Sequence, residues 1–272
     1  MNLENYFISQ FNNKHIGDDG AVIGKYVYSK DAFFENVHFK REWLSFYDIA
    51  KRAMLVNISD AFAMGAIPKY ALLSIAMPKS MSREDMKNLA EGFKDIAAKF
   101  NIDIIGGDTI SNTKLDITIT IISEVHKILT RTGIKENYLF AYTGTLGNSA
   151  KDLKKLLNLG KIHQKSRFTN IQLRHQFLYK SLKHLKAGMD ISDGLYSDLE
   201  KLTDANRIGI EFFQRIPKRI GCSGEEYEML VAFAPRDRKK ILRIAQLTRT
   251  KLTIFAKAAR NSYKNRCKAH HF

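Results

Sequence analysis

Apolar residues recur along this chain with two different periods, and each period predicts one kind of element. A helical spacing of apolar positions predicts helices over residues 48–65, 82–100, 148–160, 171–187, 195–206 and 238–247. In the second of these, Ser82 and Asp85 have the spacing of a capping box. The apolar residues of that helix then share one face: Met86, Leu89, Phe93, Ile96 and Phe100. Gly160 is the predicted end of the helix that begins at residue 148.

Short apolar or alternating stretches predict the strands. They cover residues 20–28, 29–39, 114–125, 138–144, 188–192, 208–213, 226–234 and 252–258. The sequence DIIGGDT, residues 103–109, predicts a buried strand that ends in a glycine turn. Helices and strands mix without a strict βαβ order, so we expect an α+β protein with two domains, residues 1–137 and 138–272.

The composition is that of a folded protein with a basic surface. Apolar residues make up 44% of the chain and charged residues 26%, and the net charge is +16. Residues 236–272 contain twelve lysines and arginines but one acid, Asp237. This charge is consistent with a polyanion such as nucleic acid, or simply with a solvated basic surface. We favour the solvated surface and predict no nucleic-acid partner, because no nucleic-acid recognition motif accompanies the charge.

No stretch of the sequence indicates an export signal or a membrane span. The N-terminus lacks a basic region followed by an apolar run, and no segment approaches the ~18 apolar residues that cross a bilayer. The two cysteines, Cys222 and Cys267, do not have CxxC spacing. We therefore expect neither a disulfide framework nor a zinc cluster, and we predict a cytoplasmic protein.

Acidic residues follow apolar stretches at several points of the chain. The sequences IGDDGAV, SKDAFF, NISDAFAMG, IIGGDTI and MDISDGL contain Asp18, Asp19, Asp31, Asp60, Asp108, Asp190 and Asp193. Any one of them has a simple structural explanation, since aspartate caps helices and occupies turns. Together they would repel one another at the edge of a core unless cations lie between them. Magnesium, which binds carboxylates and bridges to phosphates, is the expected ion.

Two further features indicate a ligand that carries phosphate. Gly106 and Gly107 allow backbone amides to approach an anion beside Asp108, and Arg131 in the sequence TRTG is a candidate for a phosphate contact. The chain contains neither the P-loop pattern GxxxxGK[ST] nor the motif set of protein kinases. If the protein is a phosphoryl-transfer enzyme, it therefore uses neither of these two scaffolds.

In order and spacing, these motifs resemble those of the thiamine-monophosphate kinases. The resemblance runs from about residue 16 to residue 231 and includes IGDDGAV, SKDAFFENVHF, NISDAFAMGAIPKYALLSIAMP, IIGGDT, TRTG, YTGTLGNS, MDISDGL and GEEYE. It implies the fold of aminoimidazole ribonucleotide synthetase, with an N-terminal α/β domain that dimerises through its sheet and a C-terminal α+β domain. It also implies a homodimer that transfers the γ-phosphoryl group of ATP to thiamine monophosphate and yields thiamine diphosphate.

The resemblance implies functions for individual positions. The magnesium ligands would be Asp19, Ser29, Lys30, Asp31, Asp60, Asp108, Asp190 and Asp193. The ATP contacts would be Gly107, Asp108, Arg131 and Ser192, and the contacts to the thiamine substrate would be His38 and Glu225. Asp60 and Asp190 would act in catalysis through the metal. Transfer would be direct and in line, and we assign no general base because the acceptor is an already ionised phosphate.

Four features depart from the family pattern. Lys30 replaces a hydroxyl residue, so only its carbonyl oxygen is left to bind a cation. Glu226 replaces an aspartate in GEEYE, and the stretch between MDISDGL and GEEYE is shorter than usual. Ala269 stands where the family tends to carry an aromatic ring that stacks on thiamine, so Tyr263 or Phe272 would have to replace that ring. A non-catalytic homologue is therefore one alternative.

Other members of the same superfamily are further alternatives. Selenophosphate synthetase is disfavoured because it needs a reactive cysteine or selenocysteine near the N-terminus, and no cysteine precedes Cys222. Aminoimidazole ribonucleotide synthetase fits less well because NVHF and IGGDT follow the thiamine pattern more closely. A basic nucleic-acid-binding protein is the alternative from a different class.

Overall fold

The first of two five-stranded sheets comes from the N-terminal half of the chain. In this computed structural model, which describes residues 3–265, 267 and 268, its strands are β1 (Ala21–Ile23), β2 (Tyr26–Phe34), β3 (Ala66–Pro78), β4 (Asp103–Asn112) and β5 (Asp116–Val125). They lie in the order β1-β2-β5-β3-β4, and neighbours are antiparallel except for the parallel pair β3 and β4. Along most of β5, buried residues alternate with half-buried ones, as its sequence pattern predicts.

The second sheet comes from the C-terminal half. Its strands are β6 (Leu139–Thr143), β7 (Leu185–Asp190), β8 (Gly209–Phe212), β9 (Met229–Phe233) and β10 (Leu252–Ala259). They lie in the order β7-β9-β6-β10-β8, and all neighbours are antiparallel. β7 is therefore an edge strand, and the last residue of this edge strand is Asp190.

Helices connect and cover the two sheets. They are α1 (Leu3–Ile8), α2 (Phe46–Ala63), α3 (Arg83–Phe100), α4 (Asn148–Leu157), α5 (His175–Ser181), α6 (Leu195–Asn206), α7 (Lys218–Gly221) and α8 (Arg238–Leu247). α2 packs against β2, β3 and β5 of the first sheet and also against β7 of the second. Among the described residues, no helix is both long enough and apolar enough to cross a membrane.

The predicted α+β class is confirmed, and the helices with the strongest patterns are found where the sequence predicts them. α6 and α8 have the predicted bounds, and α2 is shifted by two residues at each end. Ser82 and Asp85 exchange the two hydrogen bonds of a capping box, at 3.0 and 3.1 Å. On the apolar face of α3, Leu89 and Phe93 are buried, whereas Met86 is exposed.

The strand predicted at residues 103–109 is exposed instead of buried, and it does not end at the glycines. Every residue of β4 is exposed, and the strand continues through Gly106 and Gly107 as far as Asn112. β4 lies at the outer edge of its sheet and pairs with β3 alone. A side chain on Gly107, whose φ is 147°, would overlap the backbone of Leu73 in β3. Gly107 therefore allows two backbones to approach closely rather than ending the strand.

Several other predicted elements are wrong in extent. The helix predicted at 171–187 is limited to α5, because residues from Leu185 onward join β7. The helix predicted at 148–160 ends at Leu157, before Gly160. The turn between the first two strands lies at residues 24–25, and β2 ends at Phe34 instead of continuing to residue 39. In each case apolar residues continue past the end of the element, so the periodicity does not mark its limit.

One apolar core extends across both sheets. It contains Phe33 and Ile49 from the N-terminal half together with Phe177, Val231 and Phe233 from the C-terminal half. In the sequence the two sheets are separated by the segment between β5 and β6, where the predicted domain boundary at residue 137 falls. The division into domains 1–137 and 138–272 stays a prediction.

The expectation drawn from the two cysteines is wrong. Cys222, which follows α7, and Cys267 form a disulfide, with their Cα atoms 5.6 Å apart. The two residues are separated by 45 positions and belong to no motif, so the sequence carries no signal for their pairing. The bond ties the segment after β10 to the loop between α7 and β9.

The backbones of α2 and α3 approach each other closely at Gly92. This glycine is buried in α3, and a side chain there would overlap the carbonyl oxygen of Tyr47 and lie 2.8 Å from Cβ of Ala50. Tyr47 also donates a hydrogen bond to the Asp95 carboxylate at 2.5 Å. The contact between the two helices therefore requires glycine, although glycine is unfavourable in a helix interior.

We predict that Gly92→Ala lowers the free energy of unfolding by about 1–3 kcal/mol, because the added methyl group overpacks the contact. In an unconstrained helix the same change would raise it by about 0.5–1 kcal/mol. Urea unfolding measures the difference, and Glu91→Ala is the control because Glu91 is exposed on the same helix. Equal stability of the two variants would contradict the close packing.

We predict that reduction of the disulfide lowers the free energy of unfolding by about 2–4 kcal/mol, because the unfolded chain is no longer closed into a loop. Thermal unfolding with and without a thiol reductant measures this effect. The double variant Cys222→Ser with Cys267→Ser should unfold like the reduced protein and should not respond to the reductant. An unfolding curve of the wild type that does not change with reductant would contradict the bond.

Candidate active site

A cavity of ≈ 650 Å³ lies where α2 approaches β2 and β7, and we call it the acidic cavity. Carboxylates form much of its wall: Glu4, Asp18, Asp19, Asp31, Asp60, Asp190, Asp193 and Glu225. Three basic residues, Lys30, Arg131 and Lys201, also line it. The fold thus brings together most of the aspartates that the sequence analysis selects.

Separate parts of the chain supply the aspartates of the acidic cavity, and α2 orders them. Asp31 lies on β2, Asp60 on the last turn of α2, and Asp190 at the end of β7. The side-chain oxygen of Asn57 accepts a hydrogen bond from the Asp31 backbone N–H at 2.8 Å. The Ser59 hydroxyl donates to Oδ2 of Asp190 at 2.5 Å. Asn57 and Ser59, two residues of α2, therefore hold β2 and the end of β7 at the cavity.

Burial beside like charges makes ionisation of these aspartates unfavourable. Burial raises the pKa of Asp60 well above its usual value, and the charges of Asp31, Asp190 and Asp19 raise it further. Burial also raises the pKa of Asp190 well above its usual value, with added repulsion from Asp19. For Asp19, burial raises the pKa and the Arg131 guanidinium partly offsets this. A cation among these groups would favour their charged forms.

The oxygen atoms of the acidic cavity fit magnesium. Oδ2 of Asp19, which lines the cavity, and Oγ of Ser29, which lies on β2 two residues before Asp31, are buried, and neither has a hydrogen-bond partner in the described structure. Buried polar atoms normally have such a partner, so these two oxygens are free to bind a ligand. Across residues 3–265, 267 and 268, no group of three or more His, Cys, Asp or Glu side chains is already arranged around one ion. Because magnesium commonly completes its coordination with water and substrate phosphate, an incomplete set of protein ligands suits it.

Arg131 is held over the acidic cavity by the loop that precedes β1. One of its terminal nitrogens forms an ion pair with Asp19, and the other donates to the Gly17 carbonyl oxygen at 3.2 Å. Its backbone N–H donates to Oδ1 of Asp18 at 2.7 Å. The Nε of Arg131 is buried without a partner among the described residues. This donor remains for an anionic ligand such as a phosphate.

Asp193, like Asp19, has a cationic partner. Nζ of Lys201 lies 2.6 Å from Oδ2 of Asp193 and 2.9 Å from Oδ1 of Asp198. Burial raises the pKa of Asp198 to about 6, although Lys201 opposes this shift. A metal ion at Asp193 would therefore have to compete with the ammonium group of Lys201.

A side cavity of ≈ 230 Å³ adjoins the acidic cavity, and the two share part of their walls. His38, Ser192 and Glu225 line both. Val37 and Leu153 give the side cavity an apolar surface that the acidic cavity does not use. His38 and Glu225, which are predicted to contact the thiamine substrate, thus lie between the acidic cavity and the less polar side cavity.

His38 and Lys30 have partners of their own in the fold. Nδ1 of His38 accepts a hydrogen bond from the Phe34 backbone N–H at 3.0 Å, which orients the ring. Nζ of Lys30 donates to the Thr118 hydroxyl at 3.0 Å on the exposed side of β2. The ammonium group of Lys30 cannot bind a cation, so its carbonyl oxygen remains the predicted ligand atom.

Gly107 and Asp108 are not brought to the acidic cavity within this chain. Asp31 on β2 is paired with Ile119, Ile119 with Leu73, and Leu73 with Gly107 on β4. Three strand spacings separate these two positions, which corresponds to roughly 14 Å. Because the ligands of one magnesium ion lie about 2 Å from it, Asp108 does not share an ion with Asp31 in this arrangement. The roles of Gly107 and Asp108 stay predictions from the resemblance.

Sequence reasoning missed several residues that shape the site. Asn57 and Ser59 are buried among the apolar residues in the second half of α2, and this polar interruption is a signal that could have identified them. Lys201 lies three positions after Asp198 on α6, the spacing of an ion pair on one helix face. Arg52, also on α2, is fully buried and reaches Glu225. Its partner is distant in sequence, so no local pattern indicates it.

Tyr263, one of the two candidates to replace the aromatic ring at position 269, does not line the acidic cavity. Ala269 and Phe272 lie outside the described residues. Tyr263 lines a different cavity of ≈ 650 Å³ together with Tyr196 and Phe212. Its hydroxyl donates to the carbonyl oxygen of Tyr196 at 3.2 Å. Tyr263 therefore has a place in the packing around α6 and does not line the acidic or the side cavity.

Fold and site together define the class of this protein. A family model described as "AIRS: AIR synthase related protein, N-terminal domain" matches residues 17–125, the segment that contains Asp19, Asp31 and Asp60. A solved structure described as "AaThiL complexed with AMPPCP and TMP" has the same fold, with a TM-score of 0.85 and 23% sequence identity. The superposition covers 96% of this chain and 91% of that one. Residues 17–125 therefore match the AIR synthase-related class, and the chain as a whole has the fold of AaThiL.

Curated relatives narrow this class to one family. The thiamine-monophosphate kinase of Bacillus subtilis is 35% identical over 216 residues, which are 73% of this chain and 66% of that protein. The thiamine-monophosphate kinase of Buchnera aphidicola subsp. Schizaphis graminum is 32% identical over 264 residues, which are 84% of this chain and 79% of that protein. The chain therefore belongs to the thiamine-monophosphate kinase family, and ATP-dependent phosphorylation of thiamine monophosphate is the activity that its relatives support.

We predict that Asp60→Asn raises the thermal stability of the metal-free protein at pH 7, because it removes a desolvated charge. In the folded chain this carboxyl keeps its proton to a higher pH than in the unfolded chain, so its ionisation costs stability increasingly as the pH rises above about 4. Each 1 kcal/mol gained corresponds to about 2–4 °C in Tm. The advantage of the variant should shrink as the pH falls toward 4.

Thermal unfolding in a chelator across this pH range measures the effect. Asp103→Asn is the control, because Asp103 is an exposed aspartate at the start of β4. An Asp60→Asn variant that is no more stable than the wild type at pH 7 would contradict the electrostatic account of the acidic cavity.

Proposed function

We propose that this chain transfers the γ-phosphoryl group of ATP to thiamine monophosphate with the help of magnesium and yields thiamine diphosphate. The observation that carries the proposal is the acidic cavity, where the buried carboxylates of Asp19, Asp60 and Asp190 require cations. Membership of the kinase family supports the reaction. The structure with the same fold, AaThiL, was complexed with AMPPCP and TMP.

The expected metal ligands divide into two groups. Asp19, Ser29, Asp31, Asp60 and Asp190 would hold magnesium at or beside the acidic cavity, and the ion would supply positive charge to the phosphates of ATP when bound. For Asp193, Lys30 and Asp108 the support comes from the resemblance. Asp193 is paired with Lys201, only the carbonyl oxygen of Lys30 suits a cation, and Asp108 lies on the far edge of the sheet.

Arg131 and Ser192 would position the nucleotide. The guanidinium of Arg131 is fixed by Asp19 and Gly17, so its remaining donor can bind a phosphate oxygen without a large loss of side-chain freedom. Positive charge fixed beside the migrating phosphoryl group stabilises the transition state of phosphoryl transfer. The acceptor phosphate is already ionised, so direct in-line transfer requires orientation rather than a general base.

The acceptor would occupy the side cavity. Thiamine monophosphate carries a cationic thiazolium ring and an amino group on its pyrimidine ring, and a carboxylate such as Glu225 can pair with either. His38 and Ser192 line both cavities beside it. The phosphate of the acceptor would then point toward the acidic cavity, where the nucleotide is expected.

We also propose a homodimer that acts in the cytoplasm. β4 has an open edge and exposes Ile104, Ile105 and Ile110. Exposed apolar surface of this kind marks interaction sites, and pairing through this sheet is what the family resemblance implies. The cytoplasmic location follows from the need for ATP, whereas the disulfide between Cys222 and Cys267 is a feature that a reducing compartment opposes.

We predict that the purified protein converts thiamine monophosphate to thiamine diphosphate when ATP and magnesium are both present. A panel of phosphorylated vitamins, with product identification by mass spectrometry, tests the choice of acceptor. Asp60→Asn and Asp190→Asn should each reduce turnover by about 10²–10³-fold or more, because each removes a charge that the metal needs. Both variants should keep the fold.

Asp103→Asn should retain wild-type activity and serves as the control. Full activity in both cavity variants would refute the metal assignment. Affinity for DNA or RNA that falls steeply with salt, persists in Asp60→Asn and occurs without kinase activity would favour the nucleic-acid alternative instead.

A further inference from the structure

Arg52 is a buried cation on α2 that phosphoryl transfer does not employ. Its side chain is 0% exposed, and one terminal nitrogen lies 2.6 Å from Oε2 of Glu225. The other terminal nitrogen donates to the carbonyl oxygen of Phe168. The guanidinium also lies over the Phe168 ring, 4.3 Å from its centroid. The Phe168 carbonyl oxygen and ring therefore fix the plane of the guanidinium group that pairs with Glu225.

Glu225 lies at the boundary of the acidic cavity and the side cavity and uses only one of its carboxylate oxygens in the fold. Its side chain is 24% exposed, and Oε2 is the oxygen that Arg52 holds. Oε1 accepts no hydrogen bond from any residue that the structure describes. A carboxylate has acceptor sites on both oxygens, so Oε1 remains available to a ligand.

The backbone around Glu225 is fixed independently of Arg52. The N–H of Glu225 donates to the Ser192 carbonyl oxygen at 2.6 Å, and the N–H of Tyr227 donates to the Ile191 carbonyl oxygen at 2.8 Å. Glu225 and Tyr227 have φ angles of 55° and 50°, in the left-handed region that side-chain-bearing residues rarely occupy. Because these hydrogen bonds hold the backbone, Arg52 determines only the rotamer of the Glu225 side chain.

Stability alone does not explain this ion pair. Replacement of a buried ion pair by apolar residues is often neutral or stabilising, because both charges must leave water. Arg52 carries a further cost, since its Nε is buried without a partner in the described structure. The ion pair thus lowers the gain in stability, while its other member, Glu225, lines both cavities. We take this as an indication that the pair contributes to ligand binding.

We propose that Arg52 is a positioning residue for the acceptor substrate. It holds Oε2 of Glu225 so that Oε1 is presented to the amino or cationic group of the acceptor. This inference rests on the proposed function, because it assumes that the acceptor occupies the side cavity. Arg52 lines neither cavity, so its effect is exerted through Glu225.

The test compares the binding of the two substrates in Arg52→Met. Calorimetry measures Kd for thiamine monophosphate and for the ATP analogue AMPPCP separately, and steady-state kinetics measures the two KM values. Without Arg52, Glu225 samples several rotamers, so Kd and KM for thiamine monophosphate should rise about tenfold, which corresponds to about 1.4 kcal/mol. The values for AMPPCP and ATP should change less than about twofold, because the nucleotide is assigned to Arg131 and Ser192 and not to this pair.

Arg52→Lys keeps the charge and serves as a second variant if Arg52→Met does not fold. An ammonium group can pair with Glu225 but cannot also bind the Phe168 carbonyl oxygen in a fixed plane. We expect an intermediate, and again selective, loss of affinity for thiamine monophosphate. Equal weakening of both ligands in the folded variants would overturn the proposal.

Arg174→Met is the matched control. Arg174 pairs with Glu228, three positions after Glu225, at 2.9 Å, and Arg167 also pairs with Glu228 at 2.9 Å. Loss of Arg174 should therefore lower Tm without a selective effect on thiamine monophosphate. A selective loss in this control as large as that of Arg52→Met would show a general effect of the loop and would overturn the proposal.

A double-mutant cycle with Glu225→Gln tests whether Arg52 acts through Glu225. If it does, the double variant binds thiamine monophosphate no more weakly than Glu225→Gln alone, whereas additive losses overturn the inference. Wild-type turnover tests the proposed function separately. If the wild type binds thiamine monophosphate but does not phosphorylate it, the function fails and the ratio of the Kd values still decides the role of Arg52. If the wild type does not bind thiamine monophosphate, both proposals fail.

Discussion

Repulsion between carboxylates that are withdrawn from water is the constraint around which the rest of this molecule is arranged. Asp60 lies on α2 and Asp190 at the end of β7, and burial together with the charges of neighbouring carboxylates raises the pKa of each. Ser59 and Arg131 offset part of this cost through Asp190 and Asp19. The remainder is left for a ligand that brings positive charge. The electrostatics favour a bound cation, and the motif resemblance implies that this cation is magnesium.

The acids of the neighbouring loop are stabilised in a different way. Glu228 is buried between Arg167 and Arg174 and also accepts a hydrogen bond from Thr143. Glu226 accepts hydrogen bonds from Ser223 and from backbone N–H groups of the turn before α4. Both oxygens of Glu228 are satisfied by the protein itself, whereas Oε2 of Glu226 and Oδ2 of Asp19 are buried without a partner among the described residues. A fully paired carboxylate such as Glu228 holds the fold without a ligand.

The sequence predicts the elements whose signals are local and fails where the partner is distant. The capping box of α3 and the alternation of β5 depend on neighbouring residues, and both are found in the structure. The position of β4 at a sheet edge depends on which strand it pairs with, so GGDT looked like a turn after a buried strand. Asp31, Asp60 and Asp190, which the motifs selected, line one cavity in the structure. The disulfide and the pair of Arg52 with Glu225 join residues far apart in sequence, and only the fold reveals them.

The register of α2 couples several of these contacts to one another. Arg52 reaches Glu225, Asn57 holds β2, and Ser59 holds β7, all from consecutive turns of one helix. Insertion or deletion of a single residue between Arg52 and Asn57 would rotate everything that follows by about 100°. Asn57, Ser59 and Asp60 would then all leave their partners at once, although the composition of the helix would hardly change. This stretch can therefore accept substitutions during evolution far more readily than any change in its length.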